Sequence, residues 1–576
     1  MSTPKPKVAR QVDDTIPLGQ SKRTLFDFED FDHSSIPFEK ETWPVIIIGS
    51  SMVGMTLGVL LGFHGIKSVS FDRHPSTAIH PRAALFLLRS VEIFRQLGLE
   101  NRLRERSALN FDLDAGMIIV ENLSGGKTLM KLQESDPTEV AKVTPSQRLW
   151  LTQNMFEPLI RESAEAFGAI QEFNESVVHY EEQIDGVVVV VQNLQSKKLR
   201  KFKTDYLVSC DGNRSATRRK EGIQWNGPGI LGQSISINFH ADLTPHLGTR
   251  AKHGVTYISN PKIDAGFRLE SGGKAGFMIV SRAGDKKQFP PDSVSEREAK
   301  QYFKDASGIE DIDIDIDIDF ISYWSVAAFN SERFSSTQGR VFIAGDAAHV
   351  MPPTGGMGGN TGVQDVHNLA WKLAYVLKGK AGKSLLDTYT FERQPVAGFL
   401  MRQAYSRLQK RVLHTTPDEP ELPDIVCELG YRYPSGAIHS STQEAKETSL
   451  HEDPHAPLAI AGSRFPHVAL TKLAETETLV STIDLIKTNF VMFTTDDASP
   501  WVAAAKNMGM NIDTYSLHET SSPLRDEQGK LKSVTKLSSG EAMLVRPDGF
   551  IAWRAAKMEE GHEKALGDAL KHVLGL

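Results

Sequence analysis

The sequence predicts an α/β protein in which buried parallel strands alternate with helices, together with a strand-rich insertion and a smaller C-terminal α/β domain. Three observations support this prediction. Short β-branched runs that end in glycine or aspartate, such as Pro44–Gly49, are typical of buried parallel strands. Apolar residues at helical spacing follow several of these runs, as at 89–97. Strand-like runs dominate residues 226–335.

The chain is long enough for several domains and has the composition of an ordinary globular protein. It has 576 residues, of which 40% are hydrophobic and 24% charged, and its formal net charge is −7. This acidic balance argues against a nucleic-acid partner, because nucleic-acid-binding domains are normally basic. The two cysteines, Cys210 and Cys427, are too few for a disulfide scaffold or a cysteine-rich metal site. We therefore predict no nucleic-acid partner and no metal site.

The sequence carries no pattern of a transmembrane or secretory segment. The longest apolar runs, such as 187–191, are far shorter than the roughly 18 residues that a spanning helix needs. Residues 1–40 are polar and of mixed charge, without the apolar core of a secretory signal. We interpret them as a flexible N-terminal segment, and we expect no membrane span and a cytoplasmic location.

A βαβ unit is the first element that the pattern predicts. The strand that ends at Gly49 is followed by an apolar, helix-like segment closed by Gly65, and then by a second strand, Ser68–Phe71, which ends at Asp72. The turn at 49–54 reads Gly-Ser-Ser-Met-Val-Gly, which is close to the G-x-G-x-x-G pattern of dinucleotide-binding turns. The sequence thus predicts a Rossmann-like unit, and a plain βαβ unit with a tight turn is the alternative.

Each position of this turn has a physical role in binding a dinucleotide. Gly49 would make the turn, and Gly54 would let the helix and strand pack closely. Ser51 replaces the middle glycine, and its small side chain still allows a pyrophosphate to approach the backbone. Asp72 follows about 20 residues later, where a carboxylate accepts hydrogen bonds from a ribose hydroxyl.

Two later strands also end beside an acidic residue. The strand 205–210 is followed by Asp211, and a later strand is followed by Gly345 and Asp346. A Gly/Pro-rich loop at 352–362 then leads into a helix. A carboxylate at such a strand end can accept hydrogen bonds from a polyol, and the N–H groups that open a helix can bind a carbonyl or an anion. Taken alone, the loop is also consistent with an ordinary connector.

With all three motifs in order, the sequence resembles the flavin-dependent aromatic hydroxylases, the single-component monooxygenases related to phenol hydroxylase. Residues 345–360, followed by Asp365 and Asn368, match the family pattern G-D-A-A-H-x-x-P-P-x-G-G-x-G-x-N…D-x-x-N-L-x-W-K-L nearly completely. The resemblance covers 41–435 and implies FAD as the cofactor. It also implies that Asp346 binds the ribityl chain and that the loop after it surrounds the isoalloxazine ring.

The resemblance adds positions outside these motifs. His80–Ala83 and Gln147 stand where the family has flavin-contacting residues, and Pro353 would form an apolar wall beside the ring. Some relatives have an acidic residue just after the position of Arg82, but this chain has Ala83 there, so that base is not carried over. The residues predicted to bind FAD are Gly49, Ser51, Gly54, Asp72, Arg73, Arg82, Gln147, Asp211, Gly345, Asp346, Pro353, Gly358, Gly359 and Asn360.

The function that the resemblance implies is the hydroxylation of an aromatic small molecule, with a phenol as the expected substrate. In this family NADPH or NADH reduces FAD, and O2 then forms a flavin C4a-hydroperoxide that oxygenates the ring. No second nucleotide motif is present, so we expect NAD(P)H to bind only transiently. The alternatives are a flavoenzyme of the same fold that performs epoxidation, Baeyer–Villiger oxidation or dehydrogenation, and a non-catalytic flavin-binding protein.

We expect the aromatic substrate to bind between the FAD-binding domain and the strand-rich residues 226–335. Tyr257, Arg268 and His240 are the candidates there to polarise a phenol, although each is also consistent with an ordinary structural residue. The sequence assigns no other catalytic residue.

The end of the chain resembles the thioredoxin-like domain that phenol hydroxylase relatives carry. The phrase Leu544–Arg554 carries this part of the resemblance. Because no Cys-x-x-Cys motif occurs there, thiol redox chemistry is excluded. We predict a structural role for this domain, with a contact between the subunits of a homodimer as one form that the role could take.

The predicted fold is therefore a Rossmann-like FAD-binding domain with an inserted strand-rich substrate domain and a C-terminal thioredoxin-like domain. The predicted segments are a flexible N-terminal segment at 1–40, the first part of the FAD-binding domain at 41–225, the substrate domain at 226–335, the second part of the FAD-binding domain at 336–435, a linker at 436–457 and the thioredoxin-like domain at 458–576.

Overall fold

A computed structural model confirms the predicted α/β class. It describes residues 27–28, 32–78, 85–113, 116–133, 136–248, 250, 253–309, 316–472, 478–495, 500–516, 524–526 and 528–576. The three main sheets are a seven-stranded sheet with a parallel centre, an eight-stranded sheet, and a four-stranded sheet near the C-terminus. Among the described residues, none of the helices combines the length and the apolar character that crossing a membrane requires.

Strands and helices alternate through the first and last parts of the chain, and long strands dominate the middle. The strands are β1 (Trp43–Ile48), β2 (Ser68–Asp72), β3 (Leu85–Phe86), β4 (Met117–Val120), β5 (Thr128–Gln133), β6 (Leu149–Trp150), β7 (Ile170–Phe173), β8 (Glu175–Gln183), β9 (Gly186–Asn193), β10 (Leu199–Ser209), β11 (Trp225–His240), β12 (Val255–Ser259), β13 (Ile263–Glu270), β14 (Ala275–Ala283), β15 (Asp317–Ser331), β16 (Val341–Ile343), β17 (His349–Val350), β18 (Ala469–Lys472), β19 (Thr478–Ser481), β20 (Phe490–Thr494), β21 (Ile512–Ser516), β22 (Leu524–Arg525), β23 (Ala542–Val545) and β24 (Ile551–Ala555). The helices are α1 (Met52–Phe63), α2 (Leu88–Gln96), α3 (Glu100–Ala108), α4 (Pro137–Val140), α5 (Gln153–Ala166), α6 (Ala216–Lys220), α7 (Thr244–Leu247), α8 (Glu296–Ser307), α9 (Met357–Leu377), α10 (Thr388–Arg411), α11 (Asp424–Leu429), α12 (Pro500–Asn507), α13 (Lys530–Thr535) and α14 (His562–Leu574).

The seven-stranded sheet places three strand ends at one edge. Its order is β7-β2-β1-β10-β9-β8, with β16 beside β10. The strand β1 is apolar on both faces, since Val45 and Ile46 pack into different hydrophobic cores on opposite sides. Ile48, Ser209 and Ile343, at the carboxyl ends of β1, β10 and β16, lie side by side in parallel register. The turns after these strands therefore leave the sheet together, where ligands of open α/β sheets bind.

The eight-stranded sheet has the order β17-β15-β11-β14-β13-β12-β4-β5. It includes two strands from 117–133, which the sequence had assigned to the FAD-binding domain. A parallel pairing of β12 with β4 joins them to the sheet, and no local pattern signals a pairing between segments so far apart. One face packs on α8 through aromatic residues such as Phe239, Phe267 and Phe303.

The C-terminal sheet has the order β21-β20-β23-β24. The unit β20–α12–β21 is parallel, and an antiparallel hairpin and the helix α14 follow it. This is the thioredoxin-like arrangement that the sequence predicts. Its core is continuous with the first domain, because Phe490 packs edge-on against Trp371 and Tyr375 of α9.

Candidate active site

The turn between β1 and α1 is built so that only glycine fits at two positions. Gly49 has a φ of +94°, and a Cβ added there would lie 2.6 Å from the carbonyl oxygen of Cys210. A Cβ on Gly54 would lie 1.9 Å from the carbonyl oxygen of Gly49. Ser51, the residue that replaces the usual middle glycine, is exposed and stands at the N-cap position of α1, where its side chain makes no capping hydrogen bond. The N-terminus of α1 therefore lies directly after the end of β1, where helix N–H groups can bind a pyrophosphate.

A second helix N-terminus reaches the same place. The helix α9 begins at Met357, and a Cβ added to Gly359 in its first turn would lie 2.3 Å from the Cε of Met52, the first residue of α1. Gly345 also packs on α1, with its added Cβ 3.0 Å from the side chain of Val53. Two helix N-termini thus converge, and their dipoles favour an anionic ligand between them.

The carboxylates at the strand ends retain acceptor capacity. In Asp211 one oxygen, Oδ2, accepts a hydrogen bond from the N–H of Thr217 at 3.3 Å, while the buried Oδ1 has no hydrogen-bond partner among the described residues. Asp346 is open to solvent, although the protein around it raises the pKa of its carboxyl by desolvation, as in the wall of a cleft. A polyol such as the ribityl chain supplies the donors that these carboxylates lack, so the residues fit FAD.

A buried ionic group holds the turn of Asp346 in place. Asp365 on α9 accepts hydrogen bonds from His349 Nε2 at 2.6 Å, from Arg393 Nε at 2.9 Å and from the N–H of Gly345 at 3.2 Å. Burial alone would raise the pKa of Asp365, but His349 and Arg393 outweigh it and lower the pKa. His349 therefore helps to hold this turn in place, through its hydrogen bond to Asp365.

Asp72 ends β2 beside the same turn. Its Oδ2 accepts a hydrogen bond from the N–H of Ser50 at 2.7 Å, and its Oδ1 accepts from the N–H and Nδ1 of His74, both at 2.8 Å. Burial alone would raise the pKa of Asp72, but these hydrogen bonds lower it. Arg73 beside it is exposed, and Arg82 lies outside the described residues.

The side chain of Asn360 is engaged within the protein, and its predicted contact with FAD stays a prediction. Its Nδ2 donates hydrogen bonds to the carbonyl oxygens of Leu85 and Gly356 at 2.8 and 2.7 Å, and its Oδ1 accepts from the N–H of Leu87 at 2.9 Å. Both donors of the amide are used, so this side chain clamps β3 to the start of α9. Gly358 beside it has open space, with only Met351 within 4.0 Å of an added Cβ, and Pro353 is exposed.

The glutamine at the turn is Gln153, while Gln147 lies elsewhere. Gln147 donates to the carbonyl oxygen of Pro137 at 3.4 Å. Gln153 Nε2 donates instead to Ser51 Oγ at 2.9 Å, and Glu157, one helical turn later, accepts from the same hydroxyl at 3.0 Å. Neither Gln153 nor Glu157 is among the residues predicted to bind FAD, although their spacing of four residues places them on one face of a helix.

Two of the three substrate candidates are engaged in other contacts. His240 is exposed at the end of β11 and pairs with Asp319 at 3.2 Å. Arg268 is buried, donates to the carbonyl oxygen of Gly254 and stacks over the ring of Trp150, and its burial lowers its pKa to about 9. Neither is placed to bind a phenolate.

Tyr257 lies on the face of the eight-stranded sheet that meets the FAD-binding core. It is half-buried, and burial raises the pKa of its hydroxyl. Ser236, Ile279, Gly266 and Tyr257 stand opposite one another across four neighbouring strands. Together with Trp324, whose Nε1 donates to Ser236 Oγ at 2.9 Å, they form a row of half-buried apolar and hydroxyl groups. Such a surface suits a substituted aromatic ring.

The absence of a metal site stays a prediction. In the part of the chain that the structure describes, His33, His179 and Glu181 have potential ligand atoms within 4.8 Å of one another. His33 and Glu181 approach each other at 3.5 Å as an ion pair. The cluster lies on β8 and in the segment before β1, and we assign it no role.

Comparisons with known proteins show the family of this chain. The family model described as an FAD binding domain matches residues 42–404, and that described as the C-terminal part of aromatic-ring hydroxylases matches residues 459–576. A 4-methyl-5-nitrocatechol 5-monooxygenase from a Burkholderia species is 39% identical over 92% of this chain and 97% of the relative. A 2,4-dichlorophenol 6-monooxygenase from Delftia acidovorans is 29% identical over 92% of this chain and 98% of the relative.

A solved structure shows the same architecture over nearly the whole chain. The crystal structure of a ternary complex of aklavinone-11 hydroxylase with FAD and aklavinone superposes with a TM-score of 0.86 at 27% identity. The match covers 94% of this chain and 100% of that chain.

Proposed function

Because this chain belongs to the FAD-binding family of aromatic-ring hydroxylases, we propose that it hydroxylates a single-ring phenol or catechol. FAD is its cofactor, and the expected activity, an FAD-dependent aromatic monooxygenase, is confirmed by the family and by the named relatives. The alternative of a non-catalytic flavin-binding protein does not agree with these relatives. The choice of a single hydroxylated ring rests on the row of half-buried side chains around Tyr257 and on the nitrocatechol and chlorophenol relatives.

The proposed cofactor contacts divide between the anionic pyrophosphate and the neutral hydroxyl groups of the ligand. FAD, when bound, supplies the activation of O2 for transfer to the ring. The N-termini of α1 and α9 would bind the pyrophosphate, and Asp211 and Asp346 would accept hydrogen bonds from the ribityl chain. Asp72 would accept a hydrogen bond from a ribose hydroxyl. The exposed Pro353 would exclude water beside the isoalloxazine ring.

Tyr257 is the proposed contact for the substrate hydroxyl. Because burial raises its pKa, it keeps its proton at neutral pH and donates a hydrogen bond. That bond would orient the phenol and stabilise its developing phenolate, while Ile279 and Trp324 would pack on the ring. The cytoplasmic location and the homodimer stay predictions beside this proposal.

A multi-ring polyketide is the second candidate for the substrate. The specific observation in its favour is the structural match to aklavinone-11 hydroxylase, whose complex contains aklavinone. The test is a panel of nitrocatechols, chlorophenols and anthracyclinones, in which NAD(P)H oxidation is compared with product formed under labelled O2. We expect labelled hydroxylated product, coupled to NAD(P)H oxidation, from the single-ring compounds. Coupled turnover of anthracyclinones alone would favour the second candidate, and oxidation without label would contradict hydroxylation.

A further inference from the structure

Glu157 is a buried carboxylate at the cofactor turn. It lies on α5, 106 positions after Ser51 in the chain. Its Oε1 accepts hydrogen bonds from the N–H of Met52 and the hydroxyl of Ser51, both at 3.0 Å, and from Gln153 Nε2 at 2.5 Å. Its Oε2 accepts from the N–H of Ala78 at 2.6 Å.

These contacts join three segments that are distant in the sequence. Ser51 and Met52 open α1, Ala78 belongs to the segment after β2, and Gln153 opens α5. The carboxylate also lies at the positive end of the α1 dipole, where a negative charge is favourable. A single side chain thus fixes the turn and the segment after β2 relative to each other.

We propose that Glu157 is a positioning residue for the FAD pyrophosphate, which it serves by holding the turn at 49–54 in its binding geometry before the cofactor arrives. The inference rests on the cofactor site proposed above. Glu157 accepts the hydrogen bond of the N–H of Met52. The N–H groups of Val53 and Gly54 belong to the same first turn, and N–H groups at these positions have no acceptor within an α-helix. These two groups remain for the phosphate oxygens.

The loss of Glu157 would act through preorganisation. Without its carboxylate the turn and the segment of Ala78 would have to be ordered by the ligand, and this ordering cost would be subtracted from the binding free energy. The cost concerns only ligands that carry the pyrophosphate. A flavin without phosphate would meet the same ring-binding loop as before.

The test uses full-length apoprotein, stripped of flavin, and two probes, FAD and riboflavin. Glu157→Ala, Glu157→Gln and the control Glu162→Gln are titrated with each probe by flavin fluorescence. Glu162 lies on the same helix and forms an exposed pair with Arg102. We expect Glu157→Ala to weaken FAD binding by about 10–100-fold, by analogy with the loss of residues that orient metal ligands. The riboflavin affinity of Glu157→Ala should change less than about twofold, and so should the FAD affinity of Glu162→Gln.

The isosteric Glu157→Gln protein keeps the test valid if the alanine variant does not fold. An amide cannot accept hydrogen bonds at both of its ends, so its FAD affinity should lie between those of the wild type and the alanine variant. Unchanged FAD affinity in both variants would overturn the proposal, as would equal losses for FAD and riboflavin, which indicate general destabilisation. If wild-type apoprotein binds riboflavin as tightly as FAD, the pyrophosphate site itself is misplaced.

Discussion

The cofactor edge of the first sheet and the contact between that domain and the C-terminal domain differ in how their acidic side chains find hydrogen-bond donors. At the cofactor edge, the buried Oδ1 of Asp211 has no hydrogen-bond partner among the described residues, and Asp346 is open to solvent. At the domain contact, Glu392 of α10 accepts from Lys372 at 2.8 Å and from both terminal nitrogens of Arg546, at 2.7 and 2.8 Å. A binding site leaves polar groups for its ligand, whereas a permanent contact satisfies them internally.

The domain contact is a buried ionic network. Arg546 also pairs with Asp548, which accepts from Asn368 of α9 at 3.3 Å, and all of these side chains are buried. Burial alone would raise the pKa of Glu392, but Arg546 and Lys372 outweigh it and lower the pKa to about 2. Burial lowers the pKa of Lys372 to about 8. The C-terminal domain therefore completes the packing of the helices that carry the cofactor loop.

Breaking this network should have the largest effect on the protein. Arg546→Met removes the C-terminal partner of Glu392 and Asp548 and leaves two buried carboxylates short of a cation. We expect a loss of about 3–5 kcal/mol in the free energy of unfolding, measured by denaturant titration.

The control for this change is Lys564→Met. Lys564 forms an exposed pair with Asp568 on α14, so its loss should cost less than about 1 kcal/mol. Equal stabilities of the two variants would show that the network contributes nothing to the domain contact.

The two regions also differ in how far the sequence predicts them. The glycine turn, Asp211 and Asp346 follow local strand patterns, and these patterns gave their positions at the sheet edge correctly. Glu392 and Arg546 are 154 positions apart, and nothing near either one marks the other as its partner. Charged residues with helical spacing are usually exposed, so local patterns predict that such side chains lie in solvent.

The same limit applies inside the cofactor site. Gln153 and Glu157 reach the turn only because α5 packs beside α1, and Asn360 turns to β3 because Leu85 and Leu87 present backbone groups to it. Motif matching assigns a residue type to a position. Which hydrogen bonds its side chain makes depends on segments that pack against it from elsewhere in the chain.

The free energy of unfolding at acidic pH should depend on the charge of Glu392 in this network. Glu392 has a folded-state pKa of about 2, below its unfolded value, so its contribution is present above the unfolded pKa and is lost as the pH falls toward 2. The lowered pKa corresponds to a contribution of about 3 kcal/mol to the free energy of unfolding at neutral pH. Wild type should therefore exceed Glu392→Gln in stability at pH 7, and the gap should narrow from about pH 5 to pH 2. A gap that is independent of pH would contradict this charge assignment.

At the cofactor edge, Asp346→Ala should release FAD without unfolding the protein. A charge-assisted acceptor for the ribityl chain would be lost, which corresponds to about 1.5–3 kcal/mol of binding free energy. Flavin absorbance of the purified protein and the dissociation constant of the apoprotein measure the change. Asp185→Ala is the matched control, because Asp185 forms only an exposed pair with Lys203. Full flavin content in the Asp346 variant would refute its role.

The smallest effect is expected at Tyr257, because a single neutral hydrogen bond is at stake. Tyr257→Phe removes the donor and keeps the ring, so we expect a loss of about 0.5–1.5 kcal/mol in substrate binding, or a roughly twofold to tenfold rise in KM. FAD content should stay unchanged, and more of the NAD(P)H consumed should appear as hydrogen peroxide, because a less firmly held ring is oxygenated less often. Tyr302→Phe is the control, since Tyr302 lies on α8 and packs on Phe289, on the other face of the sheet. If both variants keep the wild-type KM and coupling, the substrate hydroxyl binds elsewhere on the row.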